Sequence, residues 1–143
     1  MTSRELEALA RTGALKPEAP SRAEYDGLVA LGETRLADAR RKELAPASRF
    51  DLAYNAAHAL ALAALRRMGF RAGTRRLVFE ALSHTSALSD AARRVLIKCH
   101  EQRNVAEYEG FHEVDERLLD NLLRAADELR DALRRLTPPD RES

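Results

Sequence analysis

The chain of 143 residues is long enough for one domain with its own hydrophobic core and too short for two ordinary ones. Ala, Leu, Arg and Glu dominate the composition, and only 6 glycines and 5 prolines occur, which favours an all-helical domain. Because 24 basic residues nearly cancel 23 acidic ones, the net charge of +1 excludes a global field for nucleic acid, so RNA or DNA binding must depend on a local patch.

Two features bear on the compartment. Cys99 is the only cysteine, which excludes an intrachain disulfide and a multi-cysteine zinc site. The apolar stretch 56–65 is interrupted by His58 and followed by Arg66 and Arg67, so it is too short to cross a bilayer. With no basic start followed by an apolar block, the sequence predicts a soluble, cytoplasmic protein that does not enter a membrane.

The first part of the chain predicts two helices. Residues 3–11 form a short N-terminal helix, and residues 16–20, with two prolines, form a linker. Ser21 and Glu24 have the spacing of a capping box and open a long helix that runs to about Leu44. The apolar side of this helix comprises Tyr25, Leu28, Leu31, Leu36 and Ala39.

The third helix, predicted over residues 49–68, is the most hydrophobic segment. Ser48 and Asp51 have the spacing of a second capping box at its start. Apolar side chains surround most of its circumference, which is typical of a helix at the centre of a bundle. Gly69 fits the position after its end, and the Arg-Arg pair before Gly69 suits the negative end of the helix dipole.

Local signals also mark the fourth and fifth helices. Thr74 or Gly73 opens the fourth helix, which continues through Leu82. Ser89 caps the fifth helix, which ends near Gly110.

The final helix is predicted over residues 114–136, where a Pro-Pro pair stops it. Nothing in the chain alternates with period two. The sequence therefore predicts an all-α fold, an up-and-down bundle of four to five helices with a short N-terminal helix. Residues 1–20 form the N-terminal helix and linker, residues 21–136 the bundle, and residues 137–143 a disordered tail.

Residues 103–108 (Arg-Asn-Val-Ala-Glu-Tyr) place a charge where the fifth helix should be apolar. At about 100° per residue, Arg103 falls inside an arc of otherwise apolar side chains. These are Ala92, Val95, Leu96, Cys99 and Ala106. A guanidinium keeps its proton at working pH, so it is costly to bury without a partner. Arg103 must therefore meet a carboxylate, a subunit interface or an anionic ligand such as phosphate.

Three polar residues, Asp51, Asn55 and His58, interrupt one edge of the hydrophobic third helix at spacings of four and three residues. In one interpretation, this edge simply faces water. In the other, it lines a cleft shared with the fifth helix, where Asp51 pairs with Arg103 and His58 is a candidate for proton transfer.

On the fifth helix, His100, Asn104 and Glu107 flank Arg103 on adjoining turns. Glu107 lies four residues after Arg103 and can pair with it within the helix, in which case the arginine needs no ligand. In the functional alternative, Arg103 and Asn104 donate hydrogen bonds to a phosphate, with His100 or Tyr108 nearby.

Other functional signals are missing from the sequence. No spacing of histidines and carboxylates predicts a metal site, and no Gly-rich loop predicts a nucleotide cofactor, so neither is expected. Basic pairs such as Arg75-Arg76 are scattered over different helices and are expected to be solvated.

Two segments resemble the HEPN superfamily, named for higher eukaryote and prokaryote nucleotide-binding domains. The central helix over residues 49–62 is similar to the family's aromatic-then-alanine helix. Residues 103–108, followed by a long closing helix, are similar to its Arg-containing motif. The resemblance covers roughly residues 21–136. It implies a helical bundle that pairs as a homodimer and, in some members, a toxin neutralised by a small nucleotidyltransferase partner.

The resemblance also implies candidate catalytic residues. In active family ribonucleases, an Arg, a polar residue and a His from each subunit form a composite RNA-cleaving site. Arg103 and Asn104 match the first two, whereas Tyr108 stands where the histidine should be. An imidazole can take the 2′-OH proton near neutral pH, but an unperturbed tyrosine titrates around 10, so its presence should cost roughly 10²–10⁴-fold in rate. His100 and His112 do not have the matching spacing.

These features predict a small dimeric HEPN-like protein that binds RNA, a nucleotide or a protein partner at an Arg103-lined cleft, with weak or no catalysis. It would be one half of a toxin–antitoxin or defence pair. One alternative is a metal-independent endoribonuclease toxin in which Arg103 stabilises phosphorane charge, Asn104 positions the phosphate and His58, His100 or His112 is the base. Another is a pure protein-interaction module. The sequence leaves open whether the protein is an enzyme.

Overall fold

The structure, a computed structural model, describes residues 3–110 and 113–140. In these ranges it contains seven helices and one two-stranded sheet. The helices are α1 (Arg4–Arg11), α2 (Arg22–Ala39), α3 (Pro46–Arg67), α4 (Arg75–Glu80), α5 (Leu82–Thr85), α6 (Asp90–Glu109) and α7 (Glu116–Arg134). The strands are β1 (Leu15–Pro17) and β2 (Phe70–Ala72). The fold is mostly helical, as predicted; its HEPN-like arrangement stays a prediction.

Helix α3 lies at the centre of the fold, as its hydrophobicity predicted, and packs against α2, α7, α4 and α6. Its buried residues include Ala53, Tyr54, Ala57, Leu60 and Ala64. All five lie within the core of a single chain. Homodimerisation itself stays a prediction.

Helices α2 and α3 approach each other closely where Gly32 faces Leu60. A Cβ at Gly32 would lie 2.7 Å from the Leu60 side chain and 3.2 Å from the carbonyl oxygen of Ala56. Any side chain at position 32 would therefore push α2 away from the central helix.

The predicted ends of several helices are confirmed. Ser21, Thr74 and Ser89 each accept a hydrogen bond at 3.2 Å from the backbone N–H three residues later. Gly110 ends α6 with a φ of 78°, which glycine adopts without strain. The second half of the predicted Ser21 capping box is different, because the Glu24 carboxylate binds Arg66 and Arg71 of other segments.

Helix α2 is shorter than predicted, because it ends at Ala39 and not near Leu44. Residues 40–43 are exposed and have no apolar surface to bury. The Arg49 side chain instead donates a hydrogen bond from Nε to the Ala39 carbonyl at 2.8 Å. Leu31, expected on the apolar side of this helix, is 41% exposed.

Three other boundaries differ from the prediction. Helix α3 begins at Pro46, because the first turn of a helix tolerates a residue without an N–H donor. Since the helix has already begun before Ser48, the expected Ser48–Asp51 capping box does not form. The predicted fourth helix breaks at Ala81 into α4 and α5. Helix α7 begins after Asp115, which caps it.

The sequence does not predict the small sheet. Strand β1 pairs antiparallel with β2, so that Leu15 lies opposite Ala72 and Pro17 opposite Phe70. Two strands of three residues are too short to show an alternating pattern. Leu15 is buried, so the segment between α1 and α2 contributes to the common core.

The segment after α7 also contacts the bundle. Arg67 donates from Nε to the Thr137 carbonyl at 2.6 Å, and Arg22 donates from Nη1 to the Pro139 carbonyl at 3.3 Å. The predicted tail over residues 137–143 extends beyond the described ranges, which end at residue 140.

Arg66 is the most buried charged residue in the described ranges, with 2% of its surface exposed. Its guanidinium donates to Oε1 of Glu24 at 2.8 Å. It also donates to the carbonyls of Glu18, Ala19 and Phe70 at 2.9, 2.7 and 3.4 Å. Arg66 lies in the last turn of α3, as predicted, but the sequence does not indicate its burial. One side chain therefore joins α3, α2, β2 and the segment before α2.

A second arginine completes this network. Arg71 binds Oε2 of Glu18 at 2.7 Å and Oε2 of Glu24 at 2.8 Å. Burial acts to raise the pKa of Glu24, but hydrogen bonds from Arg66 and Arg71 outweigh it and leave that pKa below its ordinary value. Glu24 is therefore ionised throughout the neutral range.

We expect Arg66→Ala to lower the free energy of unfolding by about 3–5 kcal/mol, because Glu24 and three carbonyls lose a buried donor. Arg66→Lys should recover only part of this loss, since an ammonium lacks the planar fork. Urea unfolding followed by circular dichroism measures both variants. Arg67→Ala is the matched control and should cost about 1 kcal/mol. Wild-type stability of Arg66→Lys would contradict the account.

Candidate functional site

The polar edge of α3 meets α4 and α6 around one buried aromatic ring, that of Tyr54. We call the group formed by Tyr54, Arg75, Phe79, His100 and Arg103 the Tyr54 cluster. The Arg103 and Arg75 guanidinium carbons lie 4.8 and 5.8 Å from the centre of the Tyr54 ring. The Phe79 ring centre lies 5.8 Å from that of Tyr54. Two cations therefore share one aromatic ring, an attractive arrangement for each of them.

Arg103 meets a carboxylate, one of the three partners that the sequence allowed. Its Nη1 lies 2.7 Å from Oε1 of Glu107, and its Nε lies 3.9 Å from Oδ1 of Asp51. The side chain is 24% exposed, and its Nε has no hydrogen-bond partner in the described part of the chain. Both predicted carboxylate partners thus lie beside Arg103.

A hydrogen-bonded chain orients His100. Its Nδ1 lies 2.8 Å from the Tyr54 hydroxyl, and its Nε2 lies 3.2 Å from Nδ2 of Asn104. With the Asn104 amide as donor, Nε2 accepts, so Nδ1 carries the proton and donates to the Tyr54 oxygen. Burial lowers the pKa of His100, and the nearby Arg76, Arg103 and Arg75 charges lower it further. The imidazole is therefore neutral at pH 7.

His58, one helical turn after Tyr54 on α3, meets the Phe79 ring edge-on, with the ring centres 5.8 Å apart. Burial lowers the pKa of His58 to about 4, and the charges of Arg75, His100 and Arg103 act in the same direction. This histidine stays neutral near pH 7, which makes it a poor proton-transfer group there.

Asn55 joins the polar edge of α3 to α4. Its Nδ2 donates to the Asp51 carbonyl at 2.9 Å, and its Oδ1 accepts from Nη1 of Arg75 at 3.3 Å. Arg75 forms no ion pair with any carboxylate of residues 3–110 and 113–140, whereas its neighbour Arg76 binds both Glu80 and Glu101. Within the described ranges, the contacts of the exposed Arg75 cation are thus the neutral amide of Asn55 and the Tyr54 ring.

The two sides of Arg103 differ in charge. On the Glu107 side, a cavity of about 240 Å³ contains two carboxylates and one guanidinium. Its lining comprises Ala47, Phe50, Asp51, Arg103, Ala106, Glu107, Gly110 and Val114. Around the Tyr54 ring, towards α4, lie Arg75, the amide groups of Asn55 and Asn104, and the ion pairs of Arg76 with Glu80 and Glu101. The cavity therefore contains one more negative than positive group and disfavours an anion, whereas Arg75 has no carboxylate partner in the described ranges.

Tyr108 does not join this group. It is 93% exposed, and no hydrogen bond or ring contact links it to Arg103 among the described residues. The structure therefore brings together Asp51, Asn55, His58, His100, Arg103, Asn104 and Glu107 along α3 and α6 and leaves Tyr108 outside. His112, the remaining candidate base, lies outside the described residues.

Sequence reasoning misses the residues that organise the site. The sequence pattern indicates only an apolar core role for Tyr54, and it places Arg75 in a solvated basic pair. The available signal is an aromatic residue directly beside the polar edge of α3, together with an arginine in the first turn of the next helix. Nothing in the sequence indicates that this arginine reaches the ring.

Comparison with known proteins does not assign a family: no family model matches the chain, and no curated protein or solved structure matches it significantly.

In residues 3–110 and 113–140, no cluster of three or more His, Cys, Asp or Glu residues could hold a metal ion. None of the helices described is both long enough and apolar enough to cross a membrane.

We expect acid to destabilise the fold through His58. Its folded pKa of about 4 lies below the ordinary 6.5, so between these values the unfolded chain binds more protons and stability falls as the pH falls. From pH 7.5 to 5.5 the loss should be about 1 kcal/mol. Urea midpoints at the two pH values measure it.

His58→Gln is the control for this pH dependence, since it keeps a neutral polar side chain that cannot titrate. The variant should lose most of the difference between pH 7.5 and 5.5. An unchanged difference would show that His58 is not the group responsible.

Proposed function

We propose that this chain is a HEPN-like helical protein that binds RNA through its phosphates at the Tyr54 cluster and cleaves it slowly or not at all. One observation carries the proposal: two guanidinium groups, those of Arg75 and Arg103, lie over the same buried ring, and Arg75 has no carboxylate partner in the described ranges. A phosphate bound at Arg75 would neutralise part of the positive charge that is concentrated around this ring.

The charge distribution supports one position for the phosphate over another. The cavity that contains Asp51 and Glu107 has one more carboxylate than guanidinium, so it disfavours an anion. Towards α4, Arg75 and the Asn104 amide supply donors, and the nearby carboxylates of Glu80 and Glu101 are paired with Arg76. We therefore assign the phosphate to the Arg75 side, with Arg103 contributing charge across the ring.

The same geometry supports weak catalysis. Both nitrogens of His100 are engaged, with Tyr54 and Asn104, so this histidine must break a hydrogen bond before it can take a proton. The pKa of His58, lowered to about 4 mainly by burial, makes this histidine a poor base. Neither arrangement provides the poised acid–base pair that fast metal-independent RNA cleavage requires.

The homodimer and the nucleotidyltransferase or other antitoxin partner that the family resemblance implies remain part of this proposal. Sizing with light scattering at micromolar concentration tests the first. A dimer is expected, and a well-folded monomer would contradict it.

We expect Arg75→Ala and Arg103→Ala each to weaken binding of a fluorescently labelled RNA and to reduce its salt dependence. For a single strand, each phosphate that is no longer neutralised should lower the slope of log K against log salt by about 0.7. Anisotropy titrations over a range of salt concentrations measure both effects. Arg94→Ala, an exposed arginine near the start of α6, is the matched control.

Equal affinities and slopes for the Arg75, Arg103 and Arg94 variants would contradict the proposal. The same samples, incubated without metal and resolved on a denaturing gel, test the alternative. Fast cleavage by the wild type that disappears in Arg103→Ala would establish the endoribonuclease and overturn weak catalysis.

A further inference from the structure

Tyr108 is the most exposed large hydrophobic residue in the described part of the chain. It is 93% exposed, and Val105, one turn earlier on α6, is 47% exposed. No hydrogen bond or ring contact engages Tyr108 within residues 3–110 and 113–140, so the fold gains nothing from its ring. By contrast, Tyr25 and Tyr54 are buried in the core. A bare aromatic face on a helix surface is a surface on which another planar group can stack.

Tyr108 shares a face of α6 with Asn104, which is hydrogen-bonded to His100 of the Tyr54 cluster. Asn104 lies four residues earlier and Glu101 seven, so all three share one face of α6. Asn104 bonds to His100, and Glu101 bonds to Arg76 in the first turn of α4. The exposed ring therefore lies about 6 Å along the helix from Asn104, on the face that α4 approaches.

We propose that Tyr108 stacks against one unpaired base of the bound RNA while the neighbouring phosphate lies at Arg75 and Asn104. This inference rests on the proposed function and identifies the substrate class as single-stranded. Glu107 and Glu109 flank Tyr108 and repel phosphate, so in this arrangement the backbone of the strand runs from the stacked base towards Arg75. A duplex hides the faces of its bases, whereas an unpaired base offers its face to an aromatic side chain.

This role differs from the one that the family resemblance gives to position 108. A stacking residue needs a planar ring and no hydroxyl, whereas an acid–base residue needs the hydroxyl and no particular ring face. Tyr108→Phe therefore separates the two roles, since it keeps the ring and removes the hydroxyl.

The test measures the affinity of a labelled single-stranded RNA and of the same RNA annealed to its complement. Tyr108→Ala should weaken binding of the single strand roughly 5- to 100-fold and leave the duplex unaffected. Tyr108→Phe should bind the single strand as the wild type does. Leu31→Ala, an exposed apolar residue on α2, is the matched control and should change neither affinity.

A second readout comes from the composition of the chain, which has no tryptophan and three tyrosines. Tyrosine emission should fall when the single strand binds, because the exposed Tyr108 stacks. In Tyr108→Phe the fall should largely disappear while binding persists. Melting temperatures, which should match the wild type for a side chain this exposed, exclude misfolding as the cause.

The outcomes separate this inference from the proposed function. If Tyr108→Ala binds both RNAs as the wild type does while Arg75→Ala loses affinity, stacking is overturned and phosphate binding stands. An equal loss in Tyr108→Phe and Tyr108→Ala also overturns stacking, because the hydroxyl is then what matters. If only Tyr108→Ala loses affinity, stacking stands and the assignment of the phosphate to the Tyr54 cluster fails.

Discussion

The hydroxyl of Tyr54 needs a partner, because α3 is buried around most of its circumference and leaves little water at this ring. His100 on α6 supplies the partner at 2.8 Å, and this contact links α6 to the central helix. With α6 held there, Arg103 lies over the ring. Arg75 reaches the same ring from the start of α4. The polar edge of α3 thus becomes the meeting point of three helices.

Arg66 and Arg103 each carry a charge into the protein interior, and they compensate its burial in different ways. Arg66 is almost wholly buried and satisfies its fork with one carboxylate and three carbonyls, which leaves it no capacity for a ligand. Arg103 is only partly buried, pairs with the exposed Glu107 and keeps one face on an aromatic ring. A pair with an exposed carboxylate contributes little stability and can rearrange when an anion arrives. The fold therefore depends on Arg66, and the proposed function depends on Arg103.

Local chemistry explains which features could be predicted from the sequence. Ser21, Thr74 and Ser89 cap helices through contacts three residues away, and Arg103 pairs with Glu107 four residues away. The sheet, by contrast, joins segments more than fifty residues apart in the chain, and a local sequence pattern does not predict such a contact.

The same limit applies to the candidate site. The polar edge of α3 and the residues around Arg103 follow from helical spacing. Arg75 and Arg103 both contact the Tyr54 ring because of how α4 and α6 pack on α3, and helical spacing alone does not predict these contacts. The Arg75-Arg76 pair looks like an ordinary solvated face in the sequence, and only the structure shows that Arg76 is neutralised by two carboxylates while Arg75 is not.

Titration of isotope-labelled protein with a short single-stranded RNA, followed by NMR of the backbone and of the arginine and asparagine side chains, tests the central claim most directly. The account predicts that the largest shifts occur at Arg75, Arg103 and Asn104, with smaller ones at Tyr54 and His100. Shifts confined to the carboxylate-lined cavity around Asp51 and Glu107, or no shifts at all, would contradict it.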